Sequence, residues 1–556
     1  MCIRDRFQGT DAATLQSQTA GDWGDLIDNI TTFESPDSTY NDIYKRSVIL
    51  STLAFDKSTG AMAAGFHNGA YAYCWPRDAV YGAMTMDRVG LHDVAEGVYD
   101  WLWNTAERDT STSDIDNDGI YHRYWYQKYT MDGVREWTNP QVDETAIIPV
   151  GAWFHYRQTD DGTFTNDYYD MVKEAAIVSS ENNPHQGMDY SESMQLMFSM
   201  NIWEDMWGML LYSNANVVAG LRDAAEFAEV MSDTTSADLF TTRKISITQG
   251  ITSTCYSTDT TSIGMYDPVR NRFYVSKDLK KWYTDQDSIW NAISTDVSQL
   301  GLVVPFDILP ANDSRILGLV TELEAALTDV NETHSAYGGV VRYRQDQASR
   351  YGDMYSDFGD TYYDGGPWMM ATAWMAEYYL EKANYYTGTT AIDKAQDYMD
   401  YLFSYVGHLG VGAEQIDEYK SSEEFALQAA WGNVWESNGT FVDALLGFLD
   451  YDYDAPNDSI TVSPKLPSEW NYLGSHIQVK DGDLYVKVTK GTNQRLVDLD
   501  NNSSNNLSVD IYIQTDAQPT SVTGTSLNWS YDNTTGRVKL YGTLNTSTSE
   551  DITINF

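Results

Sequence analysis

The sequence predicts a mainly α-helical domain followed by an antiparallel β domain. Two observations carry this. Between residues 41 and 452, apolar residues recur at three- and four-residue intervals in about twelve segments. After Asp450 the pattern changes to alternation of apolar and polar residues between turn-rich breaks. The helical part shows no fixed-period repeat, which favours a closed double ring of helices over a superhelical array.

Helices are expected over 42–55, 76–90, 92–106, 143–158, 166–180, 207–232, 235–254, 284–298, 312–329, 367–384, 389–405 and 423–449. Gly, Pro, Asn or Asp-rich connections bound each one. Residues 7–40 are polar and weakly patterned. The strands are expected in ITVSPKLP, HIQVKDGDLYVKVTK, LSVDIYIQT, GRVKLYG and DITINF. These readings divide the chain into a leading segment, 1–40, a helical domain, 41–452, and a β-sandwich-like domain, 453–556.

The 556 residues are 42% hydrophobic, enough to bury a large core. No apolar run is long enough to span a membrane. Acids outnumber Lys plus Arg by 81 to 35, a net charge of −46, which repels nucleic-acid phosphates and anionic membranes. The acids are spread among periodic apolar residues, which argues against disorder. Such an excess resembles proteins of salt-accumulating halophiles, where salt screens self-repulsion.

Three cysteines (Cys2, Cys74, Cys255) make no disulfide framework. The start, MCIRDR, places two arginines in an otherwise acidic chain and is no signal peptide. It reads as a non-native or truncated beginning, which favours an exported or cell-surface setting over a cytoplasmic one. The Asn-X-Ser/Thr triplets at Asn501, Asn502, Asn506, Asn528, Asn533 and Asn545 permit surface glycosylation, or arise by chance in a polar segment.

The chain has no Walker A loop, GxSxG elbow, HExxH or CxxC pair. Eight scattered histidines give a zinc site poor support. Acids, arginines and the flat rings of 17 Trp and 40 Tyr remain. That inventory suits glycoside hydrolysis, which needs one protonated carboxyl for the leaving oxygen and one carboxylate to activate water or attack carbon. Five stretches stand out where helices are expected to begin or loops to end: YAYCWPRDA (71–79), QVDETA (141–146), NIWEDMWG (201–208), TYYDGGPW (361–368) and VGAEQID (411–417). Taken alone, NIWEDMWG also reads as an ordinary helix start with acids in its first turn.

In that order the five motifs resemble the glucoamylase family, glycoside hydrolase family 15, over most of 41–450, including DVSQLGLVVPFDILPANDSRI (296–316). The resemblance implies an (α/α)6 barrel and an inverting mechanism at non-reducing ends of α-glucans or related oligosaccharides. It implies Glu204 as general acid and Glu414 as general base. Arg77 and Asp78 would hold hydroxyls of the terminal glucose between Trp75 and Trp203. Asp205 would bind a hydroxyl or tune Glu204, and Trp368 and Arg342 would bind substrate. Arg350 competes with Arg342 for that role. Asp143, Glu144 and Gln415 would support the site from behind. Burial beside tryptophans and the Asp205 charge should raise the Glu204 pKa, whereas Glu414 must stay ionised and should be in a more polar or solvated setting. Relatives usually carry a β-sandwich before the barrel, and its absence here prompts the expectation of truncation.

No cofactor is expected to be required. Asp114, Asp116 and Asp118 in DIDNDGI resemble the start of a calcium loop, but its twelfth position is Trp125. Trehalase, glucodextranase and isomaltose-cleaving activities share the same acids. A phosphorylase would need an anion site where Glu414 stands, and a non-catalytic glucan binder would not need both acids. Oligomeric state is not legible.

Overall fold

The computed structural model describes residues 12–66, 71–108, 122–181, 188–204, 206–256, 261–281, 289–292, 295–328, 338–342, 367–406, 409–416, 427–429 and 432–556. Its helices are α1 (Ala12–Asp28), α2 (Ser38–Leu53), α3 (Pro76–Arg88), α4 (His92–Thr105), α5 (Val142–Thr159), α6 (Gly162–Val178), α7 (Leu211–Val230), α8 (Thr234–Thr252), α9 (Ser314–Leu327), α10 (Met369–Ala383), α11 (Thr390–Ser404) and α12 (Thr440–Leu449). A 3-10 turn, Val297–Leu302, and a π turn, Val434–Gly439, complete the set among the helical domain's described residues.

From α2 onward the helices form an (α/α)6 barrel. Its inner ring runs α3, α5, α7, the 3-10 turn, α10 and the π turn with α12, each packed on the next, and the π turn closes back onto α3. The outer ring, α2, α4, α6, α8, α9 and α11, alternates with it in sequence. Burial separates the rings. Helices α3, α7 and α10 bury nearly every side chain, as an inner helix must. Helices α4, α9 and α11 bury one stripe and leave a polar face to solvent.

Local chemistry sets the ends. Pro76 opens α3 at a position where its missing N–H costs nothing, Asp78 lies in the first turn and Arg88 in the last. Asp161, Asp233 and Asp313 cap α6, α8 and α9 by accepting backbone N–H bonds.

Three sequence-based expectations change. The helix expected over 284–298 does not form in its described part: Ile289–Ala292 is a strand, and the inner ring uses the 3-10 turn instead. The helix expected from 207 starts at Leu211, because Met206–Leu210 is a strand paired with Leu196–Met200 and Ser276–Lys281. The last segment, expected from 423, contains the strand Leu427–Ala429 before its helix. These short apolar runs fit either period, and tertiary pairing decides them. The polar stretch 7–40 contains α1, a helix the pattern did not reveal.

The C-terminal part is two five-stranded sheets. One runs in the order Tyr451–Asp454, Ser459–Val462, Leu507–Gln514, Arg537–Leu544, Asn528–Asp532; the other Tyr472–Val479, Gly482–Gly491, Gln494–Asn501, Thr548–Asn555, Ser521–Thr523. Pairing is antiparallel except between Ser459–Val462 and Leu507–Gln514, which run parallel. Arg537 fixes this part to the barrel, donating to the Ala383 carbonyl (2.7 Å) and Asn384 Oδ1 (2.8 Å). Residues 31–34 bond along the edge strand, with Thr32 N–H on the His476 carbonyl at 3.0 Å and reciprocal bonds between Glu34 and Gly474 at 2.9 Å. Of the Asn-X-Ser/Thr positions, Asn501 is buried and its amide donates to the Asn505 and Leu544 carbonyls, so it is no surface acceptor. Among the described residues, no helix is long and apolar enough to cross a membrane.

Candidate active site

The N-terminal end of α3 is the centre of the site. Arg77 is buried, and its Nη1 lies 2.7 Å from Asp143 Oδ2 and 3.4 Å from Glu144 Oε1. Its Nη2 lies 3.0 Å from Glu204 Oε1, and its backbone N–H donates to Glu144 Oε2 at 2.6 Å. Asp143 and Glu144 begin α5, so two adjacent inner helices meet N-terminus to N-terminus through one guanidinium. Asp143 and Glu144, expected behind the site, are thus direct partners of Arg77. Arg77 is thus held in a fork of acids, with Asp78 a buried electrostatic neighbour.

Glu204 does not begin a helix. It sits in the loop of the hairpin joining Leu196–Met200 to Met206–Leu210, in the left-handed region at φ 56°. A non-glycine residue there costs on the order of 1–2 kcal/mol, which the surrounding bonds must over-determine. They do so. Asn201 N–H donates to the Met206 carbonyl (2.8 Å), its Oδ1 accepts the Met206 N–H (3.1 Å), and Gln141 Nε2 donates to the Asn201 carbonyl (2.6 Å). The loop turns successive side chains apart. Glu204 faces Arg77, while the Trp203 indole N–H donates to Asp296, 3.0 Å from Oδ2.

Burial pushes the Glu204 carboxyl up to about 7, against the pull of Arg77, with Asp143 and Asp78 adding to the rise. Asp78 is likewise pushed up to about 7, by burial first, with Arg77 opposing and Glu414 and Asp143 adding. Arg77 thus serves several buried acids at once, too little positive charge to neutralise them all. Asp205, expected to tune Glu204, lies outside the described residues.

Glu414 acts on Asp78 through its charge. It is buried, in a polar setting supplied by Tyr71, whose hydroxyl lies 2.9 Å and 2.8 Å from its two oxygens. Its carbonyl accepts the Met369 N–H at the start of α10 (3.1 Å), and Gln415 bridges Trp368. Glu436, in the π turn, hydrogen-bonds Glu414, and burial followed by the Glu414 charge holds its carboxyl well above the ordinary range. Asn433 fixes Glu436, accepting its N–H (2.8 Å) and donating to Oε2 (3.0 Å). π turns recur at functional sites because they re-aim a side chain within a helix.

Aromatic walls enclose these groups. Arg342 lies over Trp368 (4.6 Å) and Trp203 (5.3 Å), and the two rings are 5.7 Å apart. Trp75 packs edge-on against Trp137 at 5.3 Å. Lys128 lies over Trp137 (3.8 Å) and Tyr73 (4.6 Å), and burial lowers its pKa. Beneath, Trp435 stacks on Tyr81 (4.4 Å) and carries the Arg77 guanidinium at 5.3 Å.

The structure therefore brings together Glu204, Arg77, Asp78, Asp143, Glu144, Glu414 and Gln415, and beside them Trp75, Trp203, Arg342 and Trp368. Arg350 and the Asp114, Asp116, Asp118 loop lie outside the described residues. Tyr71, Asp296, Lys128 and Glu436 were missed. Three of them carried a signal: Tyr71 opens the quoted WPRD stretch, Asp296 opens the quoted stretch 296–316, and Glu436 follows a tryptophan as Glu204 does.

The family model for glycosyl hydrolases family 15 matches residues 38–426. An uncharacterized glycosyl hydrolase of Methanocaldococcus jannaschii is 22% identical over 452 residues, covering 79% of this chain and 60% of its own length. A crystal structure of a bacterial glucoamylase complexed with acarbose shares the fold at a TM-score of 0.54 and 18% identity, over 79% of this chain and 60% of that one. An α-L-rhamnosidase of Dictyoglumus thermophilum shares it at 0.57 and 9% identity, over 95% and 50%. The chain spans about 60% of the length of the curated relative it matches.

Proposed function

This chain belongs to the glycosyl hydrolases of family 15, and from that footing we propose that it is an exo-acting, inverting glycoside hydrolase releasing β-glucose from the non-reducing ends of α-glucans. The observation that carries the proposal is a pair of carboxyl groups in unlike environments around one Arg77–Asp78 corner. Glu204 is poised at about 7 by burial. Glu414 is held by two hydrogen-bonding contacts from Tyr71.

The chemistry follows from that difference. Protonated Glu204 donates to the glycosidic oxygen as the C1–O bond breaks. Glu414 takes a proton from a water that attacks C1 from the opposite face, so an α-linkage yields a β-product. Glu204 is left ionised, and Arg77 stabilises that charge. Solvent then reprotonates Glu204 and deprotonates Glu414. Arg77 and Asp78, with Trp75 and Trp203, would bind the terminal glucose. Arg342 and Trp368 would bind substrate beside it, their stacked faces matching the flat C–H faces of a sugar. Phosphorolysis fits poorly, because the carboxyl groups near Glu414 would repel a phosphate.

The test is hydrolysis of maltooligosaccharides, isomaltose and trehalose in concentrated salt, compared with the Glu204→Gln and Glu414→Gln variants. Each variant should lose about 10²–10⁴-fold in kcat/KM, as removal of a general acid or base does. Maltooligosaccharides as the best substrate would favour the glucoamylase reading over trehalase or isomaltose-cleaving activity. Near-normal rates in either variant would remove its residue from the mechanism.

A further inference from the structure

Outside the site, two histidines and an aspartate from three helices converge on one point. Asp87 lies in the last turn of α3, His92 opens α4, and His155 lies just before the last turn of α5. Asp87 Oδ1 is 2.9 Å from His92 Nδ1 and 2.9 Å from His155 Nδ1. The three ligand atoms lie within 4.8 Å of one another, and the rings stand 6.2 Å apart at 80°. Asp87 and His155 are buried, and His92 is about a third exposed, at 35%.

Two buried polar atoms here have no hydrogen-bond partner: Asp87 Oδ2 and the Tyr99 hydroxyl. The Tyr99 ring is 5.8 Å from that of His155, and its hydroxyl feels the Asp87 charge. Native interiors rarely leave such buried polar atoms unpaired unless a bound species or its water completes them. Glu96 and Asp161 add negative potential around His155.

We propose that Asp87, His92 and His155 form a structural binding site for one divalent transition-metal ion, Zn²⁺ being the best fit. Two imidazole nitrogens and one carboxylate oxygen are a borderline-soft donor set, suited to zinc rather than to magnesium or calcium. Ligand bonds of about 2.0–2.2 Å in tetrahedral geometry place donor atoms about 3.4 Å apart. The present 2.9 Å pairs reach that by opening about half an ångström. Asp87 would ligate through one oxygen, each histidine through Nδ1, and water would take the fourth position.

The site is remote from the proposed chemistry. Asp87 lies ten residues beyond Arg77 on α3, roughly 15 Å along the helix axis. Its role is to tie two inner helices to one outer helix, and binding only the folded state stabilises it. Asp87 and His92 are five residues apart and His155 lies 68 residues beyond Asp87, a spacing that matches no metal motif.

The test uses the full chain, stripped with a chelator in concentrated salt and reloaded with Zn²⁺ or Co²⁺ beside excess Mg²⁺ and Ca²⁺. One Zn²⁺ per chain should survive gel filtration, visible absorption should appear on Co²⁺ loading, and the melting temperature should rise. His92→Gln, at the exposed rim, should weaken binding at least about tenfold without altering hydrolysis. Asp87→Asn should abolish it. No retained Zn²⁺ in the wild type, or unchanged retention in His92→Gln, would overturn the assignment. The second result would place the metal on the acidic surface.

Discussion

Glu204 Oε1 lies 3.0 Å from Nη2 of Arg77, yet the Glu204 carboxyl is pushed up to about 7. An arginine at that distance ordinarily lowers a carboxyl pKa. Here the guanidinium is divided among Asp143, Glu144 and Glu204, and burial outweighs its share. Arg77 is therefore the shared counter-charge of the site.

Replacing Arg77 with Met leaves three partly or fully buried acids without their cation. We expect a loss of about 3–5 kcal/mol in unfolding free energy, as when one partner of a buried pair is removed. Urea denaturation at pH 7 measures it. An unchanged midpoint and slope would mean that Arg77 does not hold these helix ends together.

Glu204 links activity and stability to pH with a definite sign. Its folded pKa is raised from 4.5 to about 7, so its contribution to stability is full below about 4.5 and lost as pH rises through about 7. Glu204→Gln should be more stable than wild type at pH 8, by up to about 3 kcal/mol, with no gain at pH 4. In the wild type, kcat/KM should fall on the alkaline side near 7, because the general acid must carry its proton. Thermal melts at the two pH values and a pH–rate profile read both effects. A variant less stable than wild type at pH 8 would contradict the assigned environment.

Tyr71 holds both oxygens of Glu414. Tyr71→Phe should lower kcat/KM by about tenfold, the worth of hydrogen bonds to a charged group, and less than Glu414→Gln. Steady-state kinetics on one substrate decides it. A Tyr71→Phe loss as large as that of Glu414→Gln would make Tyr71 part of the proton transfer itself.

Much of the site was legible because its motifs keep chemistry within a few adjacent residues. WPRD announces Arg77 and Asp78, and AEQID announces Glu414. About twelve helical segments were readable from apolar spacing, and their arrangement in two rings came from the family resemblance. What stayed hidden depends on contacts between distant segments. The hairpin carrying Glu204 forms because Met206–Leu210 finds Ser276–Lys281, some seventy residues on. Asp296 caps the 3-10 turn, and only the fold brings Trp203 to it. Glu436 sits in a π turn that no periodicity encodes.

The charge of −46 sets the solution behaviour. Self-repulsion should make the protein less stable in dilute buffer and more stable as salt shortens the screening length from about 30 Å at 0.01 M to about 3 Å at 1 M. Melting temperature against KCl concentration should rise steeply. A flat response would remove the halophile reading.

The most direct measurement is the anomeric form of the first product. Proton NMR on maltotriose hydrolysis, recorded faster than mutarotation, should show β-glucose appearing first and α-glucose only later. α-Glucose as the initial product, or no cleavage of any α-glucoside, would contradict the central claim that Glu204 and Glu414 carry out an inverting hydrolysis.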